Sequence, residues 1–386
     1  MLTNADIACI ELKKTYNSNI LKKYSQEIQE TFRIVSKLCE HSDKQGLNKN
    51  LVRLINNLYK YPEKPIKFIT GPAEITRLKH PTLPQDIYLF GENDHSNKSG
   101  CTIKENSTQI EDYLIQLFSS TTKFIDIYIE FQIELNQFYS KNCDFMGEEN
   151  TLCDIYKFFR KCITSDSKTC KYPIRLHPID VRNTRKDTRT KTYKMLIDLW
   201  KIKGSPLNLK VFINKYKTII YNIRIINIKS QQYIIDSIFE NKTISKEIKR
   251  STLSLEQIYK ALKCPKIWNN IKNESYIMIK ICRWLDHKSD SLTERDIFDF
   301  SYYLRAIFIL HMDIYTLARM FKKFNITYDH HPPKPLNIIY YAGTAHTNNM
   351  LFMLQELGFN ITENSIPVTS TLSCTNIQSL KQPLFS

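Results

Sequence analysis

Two apolar runs, each stopped by a glycine, constrain this chain most: Ile87-Tyr88-Leu89-Phe90-Gly91 and Asn337-Ile338-Ile339-Tyr340-Tyr341-Ala342-Gly343. Short, nearly continuous hydrophobic runs bounded by turn residues read as strands buried on both faces, the pattern of α/β proteins. The chain holds only 8 Gly in 386 residues, so glycines placed at strand ends carry information. Each could make the sharp turn that leaves following side chains projecting from a loop. Phe124–Glu130 reads as a further strand, preceded by a helix-like segment from Thr108 to Phe118, and Ile174–Asp180 reads as another. Strand, helix, strand order favours parallel pairing through a crossover. The expected fold is therefore α/β: a mostly parallel central sheet flanked by helices, with a large helical insertion.

The insertion comes from the middle of the chain. From Thr190 to about Phe324 apolar residues recur at helical spacing, apart from Tyr216–Ile228, which fits helix or strand. Ser289, Asp290 or Ser291 could cap its last long helix. Five segments are expected: an N-terminal helical stretch (1–60), the first part of the α/β core (61–189), the helical insertion (190–324), the C-terminal part of the core (325–362), and a tail (363–386). Asn348–Leu357 reads as a helix closed by Gly358, with a short strand around Phe359–Ile361 after it. The tail is rich in Ser, Thr and Asn and reads as poorly ordered.

Composition narrows the class further. Apolar residues make up 42% and aromatic residues 12% of the chain, which excludes general disorder. Lys and Arg number 55 against 39 Asp and Glu, a formal charge of +16, with local concentrations at 182–194 and 241–250. Such a surplus attracts polyanions, although AT-rich coding bias towards Lys gives the same total. Arg182 to Lys194 could engage phosphate or be a solvated helix start. The stretch Met1–Lys14 lacks the apolar core of a secretory leader. The most apolar stretches fall short of the roughly 20 residues of a membrane span. The 10 cysteines are scattered without a CxxC pair, so reduced thiols and a cytoplasmic location are expected. Cys143, Cys153, Cys162 and Cys170 form a group that could make a disulfide under oxidising conditions.

Functional residues of open α/β sheets gather at the carboxyl ends of strands. Glu92 and His95 follow the first run, Glu130 ends the intervening strand, and His346 follows Gly343 just before a helix. Histidine serves near neutral pH as general base or as metal ligand, and glutamate completes either arrangement. Water could thus be activated by His95 or His346 as base, or by a divalent ion held by both with Glu92 and Glu130. Asp180 and Arg182 lie on one face at the end of another strand. There Arg182 could stabilise a developing oxyanion or hold an acidic group of the substrate, or it could simply pair with Asp180. His330-His331 could add a metal ligand but is better read as a solvated loop, and Asp94 could polarise a neighbouring His or equally cap a helix after the turn.

In this order the motifs resemble the erythromycin esterase, ChaN, TraB and TIKI superfamily of hydrolase-like proteins. Ile87–His95 is similar to its opening strand with Gly-Glu and a nearby His, and Phe124–Glu130 to the next strand with its terminal Glu. Asn337–His346 with Met350–Phe359 is similar to the closing Gly-x-x-His, helix and Gly-aromatic. The resemblance covers residues 85–130 and 336–361 and leaves the helical middle unmatched. It implies an α/β core with a hydrolytic or ligand-binding cleft. Erythromycin esterases look like water-activating His/Glu enzymes, TIKI proteins like metal-dependent proteases, and ChaN like a haem-binding protein. The His lies three residues after the Glu, as in the esterase form. With the AT-rich bias, the pattern points to a large DNA virus as source, and so to host cytoplasm or virion. Two other classes stay open: an inactive binding or structural, virion-associated protein of the same fold, and a basic nucleic-acid-binding protein.

Overall fold

A computed structural model describes residues 66–93, 101, 106–132, 151–163, 170, 172–181, 210–218, 220, 231–274, 276–287, 291–325, 331–368 and 373–385. The N-terminal segment 1–60, His95, Arg182 and the basic run 182–194 lie outside them, as does most of 216–228.

Six strands form the central sheet: β2 (Glu74–Lys79), β3 (Asp86–Glu92), β5 (Ile125–Gln132), β6 (Ile174–Asp180), β7 (Asn337–Gly343) and β8 (Asn360–Asn364), in the order β6-β5-β7-β3-β2-β8. The first four in that order run parallel, while β2 pairs antiparallel with both β3 and β8. The chain is thus α/β with a mostly parallel sheet, as expected. The register is tight: Glu92 stands opposite Gly343, and Ile129 opposite Tyr341. Strand β7, from the far end of the chain, slots between β3 and β5 and so brings both apolar runs together.

Strand alternation sorts the core into two layers. Ile87, Leu89, Tyr128, Ile338 and Tyr340 face one way. They pack under helical residues 210–218, α3 (Gln231–Glu240), α4 (Lys242–Ile248), α5 (Leu255–Leu262), α6 (Pro265–Glu274), α7 (Tyr276–Leu285), α8 (Glu294–Met320) and α9 (Thr344–Glu356). Tyr88, Phe90, Ile125, Ile127, Ile129 and Tyr341 face the other way, under α1 (Ile110–Ser120) and α2 (Thr151–Phe159). Full burial of each such side chain contributes about 1.5–3 kcal/mol, which is why the runs carry almost no polar residues. Helix α8 starts at Thr293 rather than at residues 289–291. The Thr293 hydroxyl accepts from the Asp296 amide, and the Asp296 carboxylate accepts from the Thr293 amide. At the end of α9, Gly358 takes φ +95 and closes the helix as expected.

Three expectations are corrected. The tail is ordered where it is described. On β8, Glu363 accepts from the guanidinium of Arg77, which also grips Asp86 through two nitrogens at 2.9 and 2.6 Å. Beyond it, β9 (Ile366–Pro367) and β10 (Cys374–Asn376) join β1 (Phe68–Thr70) and β4 (Ser107–Gln109) in a small second sheet. Leu380, Leu384 and Phe385 then bury themselves in the second layer, Phe385 edge-on to Tyr88 at 4.9 Å. The cysteines are not all reduced thiols: Cys101 is bonded to Cys374 across 273 residues, and Cys162 to Cys170. Gly91 makes no turn, because β3 continues through Glu92. It is glycine because a Cβ there would stand 2.8 Å from the Thr347 hydroxyl and 2.9 Å from the Glu74 side chain.

Candidate functional site

The site is assembled where β5, β7 and α9 meet helix α8. On β5 the even positions Asp126, Tyr128 and Glu130 face the layer of α8, opposite in sense to Ile125, Ile127 and Ile129. Glu130 is held at its outer end: the Gly343 amide donates to its Oε2 at 2.9 Å. Gly343 is the N-cap of α9, so a carboxylate here also gains from the positive end of the helix. The first turn of α9 then carries His346, only 1% exposed.

His346 lies between two carboxylates. Its Nδ1–H donates to Asp313 Oδ1 at 2.6 Å, and its Nε2 stands 3.2 Å from Glu130 Oε1. The second contact is ion-pair distance but off the line of a good hydrogen bond, leaving Nε2 without an aligned acceptor. Asp313, on α8 and wholly buried, also accepts from Asn349 Nδ2 at 2.9 Å and more weakly from the Tyr340 hydroxyl at 3.4 Å. Burial alone would lower the His346 pKa. Attraction to Glu130 and then Asp313, with the hydrogen bonds, outweighs it and raises the value to about 9. Burial pushes the Asp313 carboxyl up, with His346 opposing. At neutral pH the group is an imidazolium between two carboxyl groups, and Glu130, its side chain 12% exposed, is the member nearest solvent. The His346 ring can give up a proton from Nε2 or stabilise a growing negative charge; the ring itself cannot accept a proton until it has lost one.

Of the residues expected at the site, Glu130 and His346 come together. Glu92 does not join them, because it shares the face of Phe90 and Tyr341 on the other side of the sheet. There it helps to hold the Tyr341 hydroxyl, after burial, well above the usual tyrosine range. Asp180 ends β6, buried and opposite Gln132, past a register break in β5. His95 and Arg182 lie outside the described residues. Within the expected metal set, then, Glu92 points away from Glu130 and His346. Both nitrogens of His346 already face carboxylates, an arrangement suited to protons rather than to a cation. Among the described residues no group of three or more His, Cys, Asp and Glu side chains is placed to hold a metal ion.

Asp313 is the residue the sequence reading missed. Its signal was present: an acidic residue inside Ile309-Leu310-His311-Met312-Asp313-Ile314-Tyr315, on a helix whose neighbouring residues are all buried. A second polar chain on the same sheet face was missed as well. At the other end of β5, Asp126 Oδ1 accepts from Arg175 Nε at 2.6 Å and from His177 Nε2 at 2.8 Å. Arg319 Nη2, from α8, donates to His177 Nδ1 at 3.1 Å, which fixes the neutral tautomer with hydrogen on Nε2. Burial first, opposed by Asp126 but aided by the two guanidiniums, lowers His177 to about 3.

No family model matches the chain, and no curated protein or solved structure matches it either. Among the described residues no helix is long and apolar enough to cross a membrane.

Proposed function

We propose that the chain is a hydrolase whose proton-transferring centre is Glu130, His346 and Asp313 at the carboxyl end of the parallel strands. The observation that carries this is the misaligned Nε2 of a buried, doubly flanked His346, 3.2 Å from the one carboxylate of the group that reaches solvent. Asp313 fixes the ring and keeps it charged; it is a positioning residue. His346 supplies the acidic proton, and Glu130 is the base that takes a proton from water. The likeness to the erythromycin esterase, ChaN, TraB and TIKI superfamily is part of the same proposal, and His95 enters through it alone. Asn93, two residues before His95, already accepts from the Thr344 hydroxyl in the first turn of α9. A divalent ion remains an arm of the test. For location, the Cys101–Cys374 and Cys162–Cys170 disulfides favour a virion or another oxidising compartment over the reducing cytoplasm.

The test is activity profiling of the purified chain against ester, peptide and phosphoester libraries, with chelator and with added divalent ions. His346→Ala and Glu130→Gln are expected to lose about 10²–10⁴ in rate, measured per folded molecule because both changes also remove part of a buried charge group. Activity that survives both substitutions, or none in any library, overturns the assignment. One observation favours a second reading, a binding or structural protein that keeps the fold: His346 is 1% exposed and flanked on both nitrogens, as in a purely structural ion-pair lock. That reading gains if Glu130→Gln costs stability and no turnover is found.

A further inference from the structure

At the opposite edge of the sheet, three distant segments bring aromatic rings and cations together. Phe124 precedes β5, Phe324 follows α8, and His331 comes from the proline-rich loop; the Phe324 amide donates to Pro333 O at 2.7 Å and ties the last two segments. The rings of Phe124 and His331 lie 4.8 Å apart, and all three are only partly buried. Three cations converge on Phe324: the Arg175 guanidinium at 4.2 Å from the ring centroid, Lys322 Nζ at 5.1 Å and the Arg319 guanidinium at 5.4 Å.

Among the described residues two carboxylates stand against these three cations, Asp126 beside Arg175 and Glu247 beside Lys322 and Arg319. One positive charge is in surplus within a largely buried cluster. Arg175 Nη2 and Arg319 Nε are buried without a hydrogen-bond partner. Burial, and repulsion from Arg319 and Arg250, pull the Lys322 pKa down, with Glu247 opposing. An uncompensated buried cation is costly unless an anion supplies the missing charge. The rim adds to the field. Ser251 bridges Lys322, which sets the end of α4 with Lys249 and Arg250 beside the cluster. Lys249, Arg250, Lys323, Lys123 and Lys334 are exposed.

We propose that this edge binds single-stranded nucleic acid, with phosphates against the lysine and arginine rim and bases on the exposed parts of Phe124 and His331, Phe324 being already stacked on His177 and covered by Arg175. Rings interleaved with cations suit a flexible strand whose bases are free to stack, whereas a duplex hides its base faces. The site is distinct from Glu130 and His346, which lie at the other end of β5.

The experiment is fluorescence anisotropy of the full chain with a labelled oligothymidylate, its duplex counterpart, heparin and anionic phosphatidylserine vesicles as competitors. Binding is expected to weaken with salt, with a log–log slope of about −2 to −3 for three or four neutralised phosphates. Lys249→Glu with Lys323→Glu should reduce that slope. His331→Ala, a change at a partly exposed ring, should weaken binding about tenfold; Phe124→Leu provides a second ring variant if His331→Ala melts early. Absence of binding, equal competition by duplex, heparin or vesicles, or ring variants that bind as the wild type does would each overturn the proposal.

Discussion

Replacing Asp313 by Asn tests whether His346 is held as an imidazolium. The change preserves volume and removes one of the two charges that keep the ring protonated. It also disturbs the far side, since Asp313 Oδ2 accepts from Asn349 Nδ2, and an amide there would set NH₂ against NH₂ unless Asn349 turns over. In the wild type the His346 pKa rises from 6.5 to about 9, worth about 3 kcal/mol at roughly 1.4 kcal/mol per unit. The folded value is raised, so this contribution is complete below about pH 6.5 and is lost as pH climbs through about 9. The Nδ1–H of His346 keeps an amide oxygen as acceptor, so what is lost is the charge on that acceptor, a cost of about 1–1.5 kcal/mol from the difference between charged and neutral hydrogen bonds. Urea unfolding of wild type and Asp313→Asn at pH 6.5 and 9.5 should therefore show a large gap at the lower pH that narrows at the higher. Imidazole proton shifts followed by NMR should show His346 titrating at lower pH in the variant. A gap independent of pH, or a His346 that still titrates near 9, would refute the reasoning.

Two further outcomes follow from the same structure. His177 is held neutral with its pKa lowered to about 3, so its contribution is present above about 6.5 and is lost as pH falls towards 3. Wild-type stability should drop by up to about 1.4 kcal/mol per pH unit in that window, and a His177→Gln variant with a flatter acid limb in urea melts is expected; an equally steep limb would count against it. Cys101→Ser and Cys374→Ser should each lower the urea midpoint by the same amount, by up to about 5 kcal/mol in stability. The double variant should match either single one, and additive losses would mean that the cross-link is not what the cysteines contribute.

Much of the frame was legible because β3 and β7 announce themselves as apolar runs and β5 and β6 as short Ile-rich alternations, β6 being bounded to the residue. Strands β1 and β2 were not. Glu74-Ile75-Thr76-Arg77-Leu78-Lys79 carries a buried arginine, tolerable only because Asp86 and Glu363 meet it from β3 and β8. Nothing local indicates those partners. The tail escaped for a similar reason. Its Ser, Thr and Asn content hides Leu380, Leu384 and Phe385, and the bond from Cys374 to Cys101 spans far too many residues to be paired by spacing. At the site, strand ends could be located, but not which face of each strand meets α8. Glu92 ends β3 and Glu130 stands two residues before the end of β5, yet they project to opposite layers. A period of two gives the alternation and leaves its sense to tertiary packing.

The sense of each histidine's charge is likewise a matter of neighbours, since burial is common to both. His177 and His346 are each almost fully buried, and burial pulls each pKa down. His346 is met by two carboxylates and stays protonated, whereas His177 is met by one carboxylate and two guanidiniums and stays neutral. Helix α8 supplies one neighbour in both places, Asp313 beside His346 and Arg319 beside His177. Six residues of helix span about 9 Å, while the four from Asp126 to Glu130 on β5 span about 13 Å. Side-chain reach closes that difference only if α8 runs back along β5, antiparallel to it, and the contacts show that it does: Asp313 lies with His346 and Glu130, and Arg319 lies with His177 and Asp126. Shifting α8 by one helical turn would move each charge about 5 Å. His346 would then keep Glu130 but lose Asp313, and His177 would lose the donor that fixes its tautomer. Helix α8 therefore contributes to the charge of both histidines, beside Glu130 and Asp126 on β5, and any assay of the Glu130–His346 centre on a chain lacking α8 would measure a different acid.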